Sequence, residues 1–361
     1  MPKQGGMMAI RFLIAAIAML GFTGLIPAVQ AQTAAPAATT ATGPVALRGA
    51  GATFPAPLYQ KWIAVYTKAN PTLAIEYQAV GSGEGVKRFL ENSVDFGASD
   101  AALSDEQIAK VSAGATLVPA TAGAIVLAYN LPDVKGTLKL SREVYADIFL
   151  GKIRNWNDPK IQALNPDLKL PNLTITLVAR QDSSGTTYAM TNHLSAISAA
   201  WRNQGPGVGK MIDWPGISMV APGNEGVAGR IKRSWGSIGY VEYGFAKRLG
   251  LPMAQLENKA GVFVEPNLNS GQAALAANIS QIPGNLRVFL PDPDGADSYP
   301  IVTFTWLLLY DRYPNPQKST ALKGFVNWAL SDGQSYSVDQ GYIPLPADVV
   351  ALARAAVDRV Q

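Results

Sequence analysis

Three strand-like runs in this chain break into glycine- and hydroxyl-rich turns that lead straight into helix-like segments. They are Gly49-Ala50-Gly51-Ala52-Thr53-Phe54-Pro55, Val80-Gly81-Ser82-Gly83-Glu84-Gly85 and Arg180-Gln181-Asp182-Ser183-Ser184-Gly185-Thr186-Thr187. Such a turn leaves the first N–H groups of a helix without intrahelical partners, at the positive end of its dipole. Glycine lets a ligand approach that backbone closely. The third turn follows Leu173 to Ala179, a strand-like run alternating with Thr174 and Thr176, and precedes Tyr188 to Ile197, which reads as a helix. Arg180 therefore ends a strand, and Ser184, Gly185 and Thr186 open a helix. Ser184 and Thr186 add hydroxyls, and Arg180 adds a permanently charged fork of N–H donors. Together they read as a socket for a small tetrahedral anion. In the first turn Pro55 falls near a helix start, where its missing N–H costs nothing. The Thr53 hydroxyl and the N–H groups of Thr53 and Phe54 are the donors there. The Gly-x-Gly-x-Gly of the second turn lacks dinucleotide spacing and the P-loop Lys. Any one of these turns alone reads as an ordinary glycine turn; three together point to one shared site.

The rest of the chain alternates in the same manner, which predicts α/β layers. Strands are expected at 45–48, 73–77, 96–99, 122–130, 238–243 and 301–310. Helices are expected at 57–69, 85–92, 104–112, 141–150, 227–234, 269–279, 320–330 and 348–360, with a loop over 205–226. A shift near Val118-Pro119-Ala120-Thr121 and the Pro/Gly/Asp-rich 282–300 read as two crossings. They divide the fold into a first lobe, 45–120 plus 300–361, and a second, 121–299, around a hinged cleft.

The start of the chain is not part of that fold. Lys3 and Arg11 precede or border a fifteen-residue apolar run, Phe12 to Ile26, and Val29 and Ala31 suit a cut after Ala31. Residues 1–31 read as a secretory signal peptide. The run is shorter than the roughly 20 residues of a spanning helix. Residues 32–44, rich in Ala, Thr and Pro, read as a disordered tether. Losing Lys3 and Arg11 lowers the formal net charge from +4 to about +2. That is too little for a nucleic-acid binder. With no cysteine, an exported chain relies on its core rather than disulfides and has no lipid-attachment thiol. A freely soluble, exported protein is expected.

Asp100 closes the short strand-like stretch Phe96 to Ser99, at the same edge as the three turns. A carboxylate facing an anion normally repels it. It helps only if the anion carries a proton to donate. At this point a resemblance joins the residue-level reading. GAGATFPAPLYQKW (49–62), GSGEGVKRF (81–89), VDFGASDAALS (94–104), IFLGKIRNW (148–156), RQDSSGTT (180–187) and GSIGYVEYGFAK (236–247) resemble, in order and over nearly the whole mature chain, the phosphate-binding proteins of bacterial phosphate ABC transporters. The resemblance implies a two-lobed α/β periplasmic-binding fold of the type II kind, with inorganic phosphate in the cleft and no cofactor. It also implies a periplasmic monomer, with permease and ATPase subunits of an importer as partners. It places anion contacts on Thr53, Phe54, Ser82 and Asp100 from the first lobe and on Arg180, Ser184, Gly185 and Thr186 from the second. Asp182 matches the carboxylate that holds the binding arginine. Glu84 and Ser183 depart from the family pattern, and Glu84 brings a negative charge towards the cleft or points to solvent.

The physics agrees. A charge-assisted bond is worth about 1.5–3 kcal/mol net and a helix start about 0.3–2 kcal/mol. Many oriented donors can therefore hold an anion in a dry cleft. Sulfate lacks the proton that Asp100 would accept, and a site built for that proton can reject it by ~10⁴-fold. Other tetrahedral oxyanions, arsenate above all, are the competing ligands. A secreted serine hydrolase or phosphatase, built on Ser184, Asp182 and the single histidine His193, is disfavoured. His193 lies about two helical turns beyond Ser184, roughly 13 Å along the axis. No Gly-x-Ser-x-Gly elbow surrounds a serine, so His193 reads as a surface or helix-packing residue. Asp292-Pro293-Asp294-Gly295-Ala296-Asp297 resembles a calcium loop, but Thr303 stands where the bidentate Glu belongs. No metal is expected.

Overall fold

The computed structural model describes residues 44–278 and 283–361. The expected signal peptide, and the expected tether up to residue 43, lie outside the described residues. The strands are β1 (Val45–Gly51), β2 (Leu73–Ala79), β3 (Phe96–Ser99), β4 (Ala115–Tyr129), β5 (Lys139–Leu140), β6 (Thr176–Arg180), β7 (Ser218–Ala221), β8 (Ser237–Glu242), β9 (Gln255–Glu257), β10 (Phe263–Val264) and β11 (Val302–Tyr310). Eight of them form one sheet in the order β2-β1-β3-β11-β4-β8-β6-β7, and β10-β9-β5 form a small second sheet.

The register shows how this sheet builds a site. β1, β2 and β3 are parallel, so their carboxyl ends share one edge. β6 is parallel to both β7 and β8, so Arg180, Ala221 and Glu242 share another. β4 joins the two groups. Its first part pairs antiparallel with β11, and its last five residues, Ile125 to Tyr129, pair antiparallel with β8. Trp306 of β11 is level with both Ser99 and Pro119, whereas Glu242 is level with Ile125. The carboxyl ends of the two strand groups therefore meet over the middle of β4. Ligands of open α/β sheets bind at such carboxyl edges.

β4 starts earlier than the strand expected over 122–130 and runs unbroken through 118–121. Pro119 has no N–H for the ladder and is accommodated where the pairing with β11 shifts register between Thr305 and Trp306. β11 is buried along its whole length, as a mainly apolar strand between two covered faces should be.

Two helices begin earlier than the periodicity suggests, at Ser82–Leu90 and Gly185–Ile197. Their opening Gly, Ser and Thr have poor helix propensity, so pattern alone hides them. The same holds for Gly223–Arg233, which starts inside the stretch read as loop. The helix Tyr243–Leu249, β7 and the small sheet were not expected; each is too short to show a clear period. The 104–112 helix is shorter, Asp105–Ala109, but Ser104 caps it in a capping box with Gln107. Among the described residues no helix is long and apolar enough to cross a membrane.

Candidate functional site

The turn after β1 leads into the helix Ala56–Ala69. Phe54 is fully buried against Tyr342, whose hydroxyl donates to the Phe54 carbonyl at 2.6 Å. That contact fixes the turn and leaves Thr53 at its tip. The next turn opens the helix Ser82–Leu90 after Gly81, whose φ of 95° suits glycine. Ser82 is its first residue and is buried.

Asp100 follows β3 and is 1% exposed. Its Oδ1 accepts from the Thr305 hydroxyl at 2.8 Å, its Oδ2 accepts from Ser82 at 3.4 Å, and its own N–H donates to Ser82 Oγ at 3.2 Å. These partners rule out a side chain that merely caps the segment after it. Burial pushes the Asp100 carboxyl up to about 7, against the opposing effects of Thr305, Arg180, Ser82 and Lys210.

On the other side, Arg180 ends β6 with its side chain almost wholly buried. Its Nε donates to Asp182 Oδ1 at 2.8 Å, Nη2 donates to Asp182 Oδ2, and Nη1 donates to Thr186 Oγ1 at 3.3 Å. An arginine has five N–H donors, so two remain for a ligand. Burial alone would raise the Asp182 carboxyl, but Arg180 and the Gly223 N–H, donating at 2.9 Å, hold it below its usual value. Asp182 thus clamps the guanidinium in place. Ser184 caps the helix Gly185–Ile197 by accepting from the Thr187 N–H at 3.1 Å, which leaves its own O–H free to donate. Thr186 Oγ1 accepts from Arg180 and, at 3.2 Å, from Asn224 Nδ2, so its proton is free too.

Gly185 stands where the two sides meet. A Cβ there would come within 2.6 Å of the Asp100 Cβ and of Ser82 Oγ, so only glycine fits this approach. All eight expected contact residues, with Asp182, thus lie on the two facing carboxyl edges. A cavity of about 280 Å³ adjoins Thr53 and Asp182 on the side of Glu225 and Phe245.

Three participants escaped the sequence reading. Asn224 is fully buried at the start of the helix Gly223–Arg233. Its N–H and Nδ2 both donate to Thr53 Oγ1 at 3.2 Å, Nδ2 also reaches Thr186, and its Oδ1 accepts from the Glu242 N–H at 3.1 Å. It bridges the two edges. Its signal was a fourth Gly-containing helix start, Pro222-Gly223-Asn224, lost in a loop-like stretch. Thr305 had a signal as well, a hydroxyl inside an apolar strand. Tyr240 had none: its hydroxyl accepts from the Arg180 N–H at 3.1 Å and bonds Thr187 at 2.7 Å.

The two departures are accommodated. Glu84 pairs with Arg88 at 2.8 Å in a partly exposed i,i+4 bridge and does not face the carboxyl edges' donors. Ser183 sits against Gly83, where an added Cβ would lie 2.1 Å from its Oγ, and the Ser183 carbonyl accepts from the Gly83 N–H at 2.9 Å.

His193 is fully buried, not a surface residue. It bonds the Tyr145 hydroxyl at 2.8 Å and the Pro291 carbonyl at 2.5 Å, and burial lowers its pKa to about 4. Its two ring nitrogens are thus engaged away from Ser184. In the 292–297 loop, Asp292 is held by both Nη atoms of Arg142 at 2.7 Å, and Asp294 pairs with Lys259 at 2.7 Å. Among the described residues no group of three or more carboxylate or histidine side chains is placed to hold a metal ion.

A mixed α/β sheet whose donor-rich carboxyl edges face each other defines the class of two-lobed solute-binding receptors. Comparison with known proteins agrees. A family model described as a PBP superfamily domain matches residues 33–333. The phosphate-binding protein PstS of Haemophilus influenzae is 41% identical over 310 residues, covering 86% of this chain and 91% of that protein. PstS of Methanocaldococcus jannaschii is 38% identical over 339 residues, covering 88% and 87%. The chain belongs to the PstS family of phosphate-binding proteins. Among solved structures, a high-affinity periplasmic phosphate-binding protein bound with phosphate superposes with a TM-score of 0.70 at 22% identity, covering 86% of this chain and 93% of that one. The phosphate-binding protein of Stenotrophomonas maltophilia gives 0.69 at 21%, with the same coverage. At those identities the likeness concerns the fold.

Proposed function

We propose that this protein is an extracytoplasmic receptor that captures inorganic phosphate between its lobes and delivers it to an ABC importer, without chemical turnover. The observation that carries the reading is the pairing of a buried Asp100 carboxyl with donor-rich helix starts and a clamped Arg180. Thr53, Phe54, Ser82 and Asp100 supply contacts from one lobe, and Arg180, Ser184, Gly185 and Thr186 from the other. Donors hold the anion's bare oxygens, and Asp100 accepts the proton of its hydroxyl. The lobes are 45–120 plus 300–361 and 121–299, and they close over the ligand about the middle of β4. Only differential affinity for the closed state can drive that motion. The permease and ATPase subunits of a phosphate importer are the partners, and the receptor works as a periplasmic monomer released from residues 1–31.

Calorimetry of the mature protein against phosphate, sulfate and molybdate tests the reading. One phosphate per chain with rejection of sulfate near pH 8 is expected, and phosphate esters should remain uncleaved. Failure to bind phosphate, or hydrolysis lost in Ser184→Ala, would overturn it. Arsenate shares phosphate's shape and protonation and should bind as a competitor. Small-angle scattering should show a smaller radius of gyration with phosphate; an unchanged radius argues against hinge closure.

A further inference from the structure

We propose that Lys210 is a second cation of this anion site, supplying charge that Arg180 does not. The inference rests on the anion-binding reading above. Arg180 and Asp182 form an ion pair that is close to neutral as a unit. Asp100 adds negative charge whenever it is ionised. A divalent oxyanion on the Asp100 side of this pair would leave the pocket with a net negative charge that helix dipoles only partly offset.

Lys210 is placed to balance it. Its carbonyl accepts from the Ser184 N–H at 2.9 Å, and Ser184 caps the helix whose next residue, Gly185, abuts Asp100 and Ser82. The neighbouring Gly209 is clamped to Thr191 of the same helix through both its N–H, at 3.1 Å, and its carbonyl, at 3.2 Å. The loop is thus fixed on the first turns of the anion-facing helix. The Lys210 side chain is half-buried, yet among the described residues its amine makes neither a hydrogen bond nor an ion pair. Burial lowers its pKa, and the charge that opposes this lowering is that of Asp100. A partly desolvated ammonium without a partner is costly unless an anion joins it. An oxyanion seated between Asp100 and the Gly185 helix start would do so.

The test uses the full mature chain with Lys210→Met and Lys210→Gln, inorganic phosphate as ligand, and calorimetry at two salt concentrations. The Ser184 bond uses the Lys210 backbone, so both variants keep it, and their phosphate-free melting temperatures should equal or exceed that of the unsubstituted protein. Both should bind phosphate about tenfold more weakly at low salt, with a smaller difference at high salt because added ions screen the lost charge. Unchanged affinity in both variants would overturn the assignment. So would a loss in Lys210→Met that Lys210→Gln does not share, which would indicate packing rather than charge. If the unsubstituted protein itself binds no phosphate, the anion-site reading beneath the inference fails instead.

Discussion

Replacing Asp100 by Asn should open the site to sulfate, and by an amount that depends on pH. Phosphate arrives with a proton that Asp100 can accept. Sulfate arrives without one, so the protein must supply it by binding sulfate with Asp100 neutral. Because burial holds the Asp100 carboxyl at about 7, the neutral form predominates at pH 6 and falls about tenfold per unit well above 7. The sulfate affinity of the unsubstituted protein should therefore drop about 100-fold between pH 6 and pH 9, equivalent to ~2.7 kcal/mol. Rejection of sulfate near neutral pH is then milder than the ~10⁴-fold of a site whose polar group is left wholly unpaired. Asn cannot ionise, and its amide offers N–H donors to a bare oxygen. In Asp100→Asn the sulfate affinity should be flat with pH, close to that of the unsubstituted protein at pH 6 and about 100-fold tighter at pH 9. Phosphate should lose the charge-assisted bond, so its lead over sulfate shrinks from both sides. Isothermal titration with both anions across pH 6 to 9 measures this directly. A sulfate affinity of the unsubstituted protein that does not change with pH would refute the proton-supply reasoning. An unchanged phosphate-to-sulfate ratio at pH 9 in the variant would refute the role of Asp100 itself.

Arg180→Ala should weaken every oxyanion alike, by ~10²-fold or more from the loss of up to two charge-assisted bonds, and should lower the melting temperature because Asp182 keeps its burial without its ion-pair partner. Titration of phosphate, sulfate and arsenate checks the uniformity, and a loss confined to one anion would contradict it. Asn224→Ala removes bonds to Thr53, Thr186 and the Glu242 N–H; it should cost ~1–3 kcal/mol of stability and weaken phosphate about tenfold, read by denaturant titration and calorimetry. Glu242 is fully buried, and burial pushes its carboxyl up to about 8 against Gly244 and Arg248. The native chain then keeps a proton that the unfolded chain releases above its ordinary value of 4.5, so this residue's contribution becomes less favourable as pH rises from about 4.5 to 8. Glu242→Gln should flatten that slope and raise the melting temperature more at pH 8 than at pH 5; equal shifts at both pH values would show that Glu242 titrates normally.

The amino-acid order by itself determined the chemistry of this protein and much of its local structure. Strand ends, glycine turns and hydroxyls at 53, 82, 184 and 186 are short-range features, and helix-start physics acts over a single turn. That is why the anion socket and Asp100 as the odd carboxylate are legible in the sequence, whereas Asp182 as the arginine's clamp came only from the family resemblance. The helix starts at Ser82 and Gly223 were not legible, because residues suited to caps and close approach are those whose helix propensity is weak. What the tertiary structure decided is everything that depends on register between distant strands. Pro119 is absorbed by a register shift against β11, so the strand expected from 122 begins at 115 and is common to both strand groups. Thr305 meets Asp100 across 205 positions, and Asn224 meets Thr53 across 171. His193, ambiguous on its helix, is buried by Tyr145 and Pro291. No local pattern encodes such meetings: they follow from how whole strands pair and which helices those strands carry, and a one-residue slip of β11 would turn Thr305 to the opposite face.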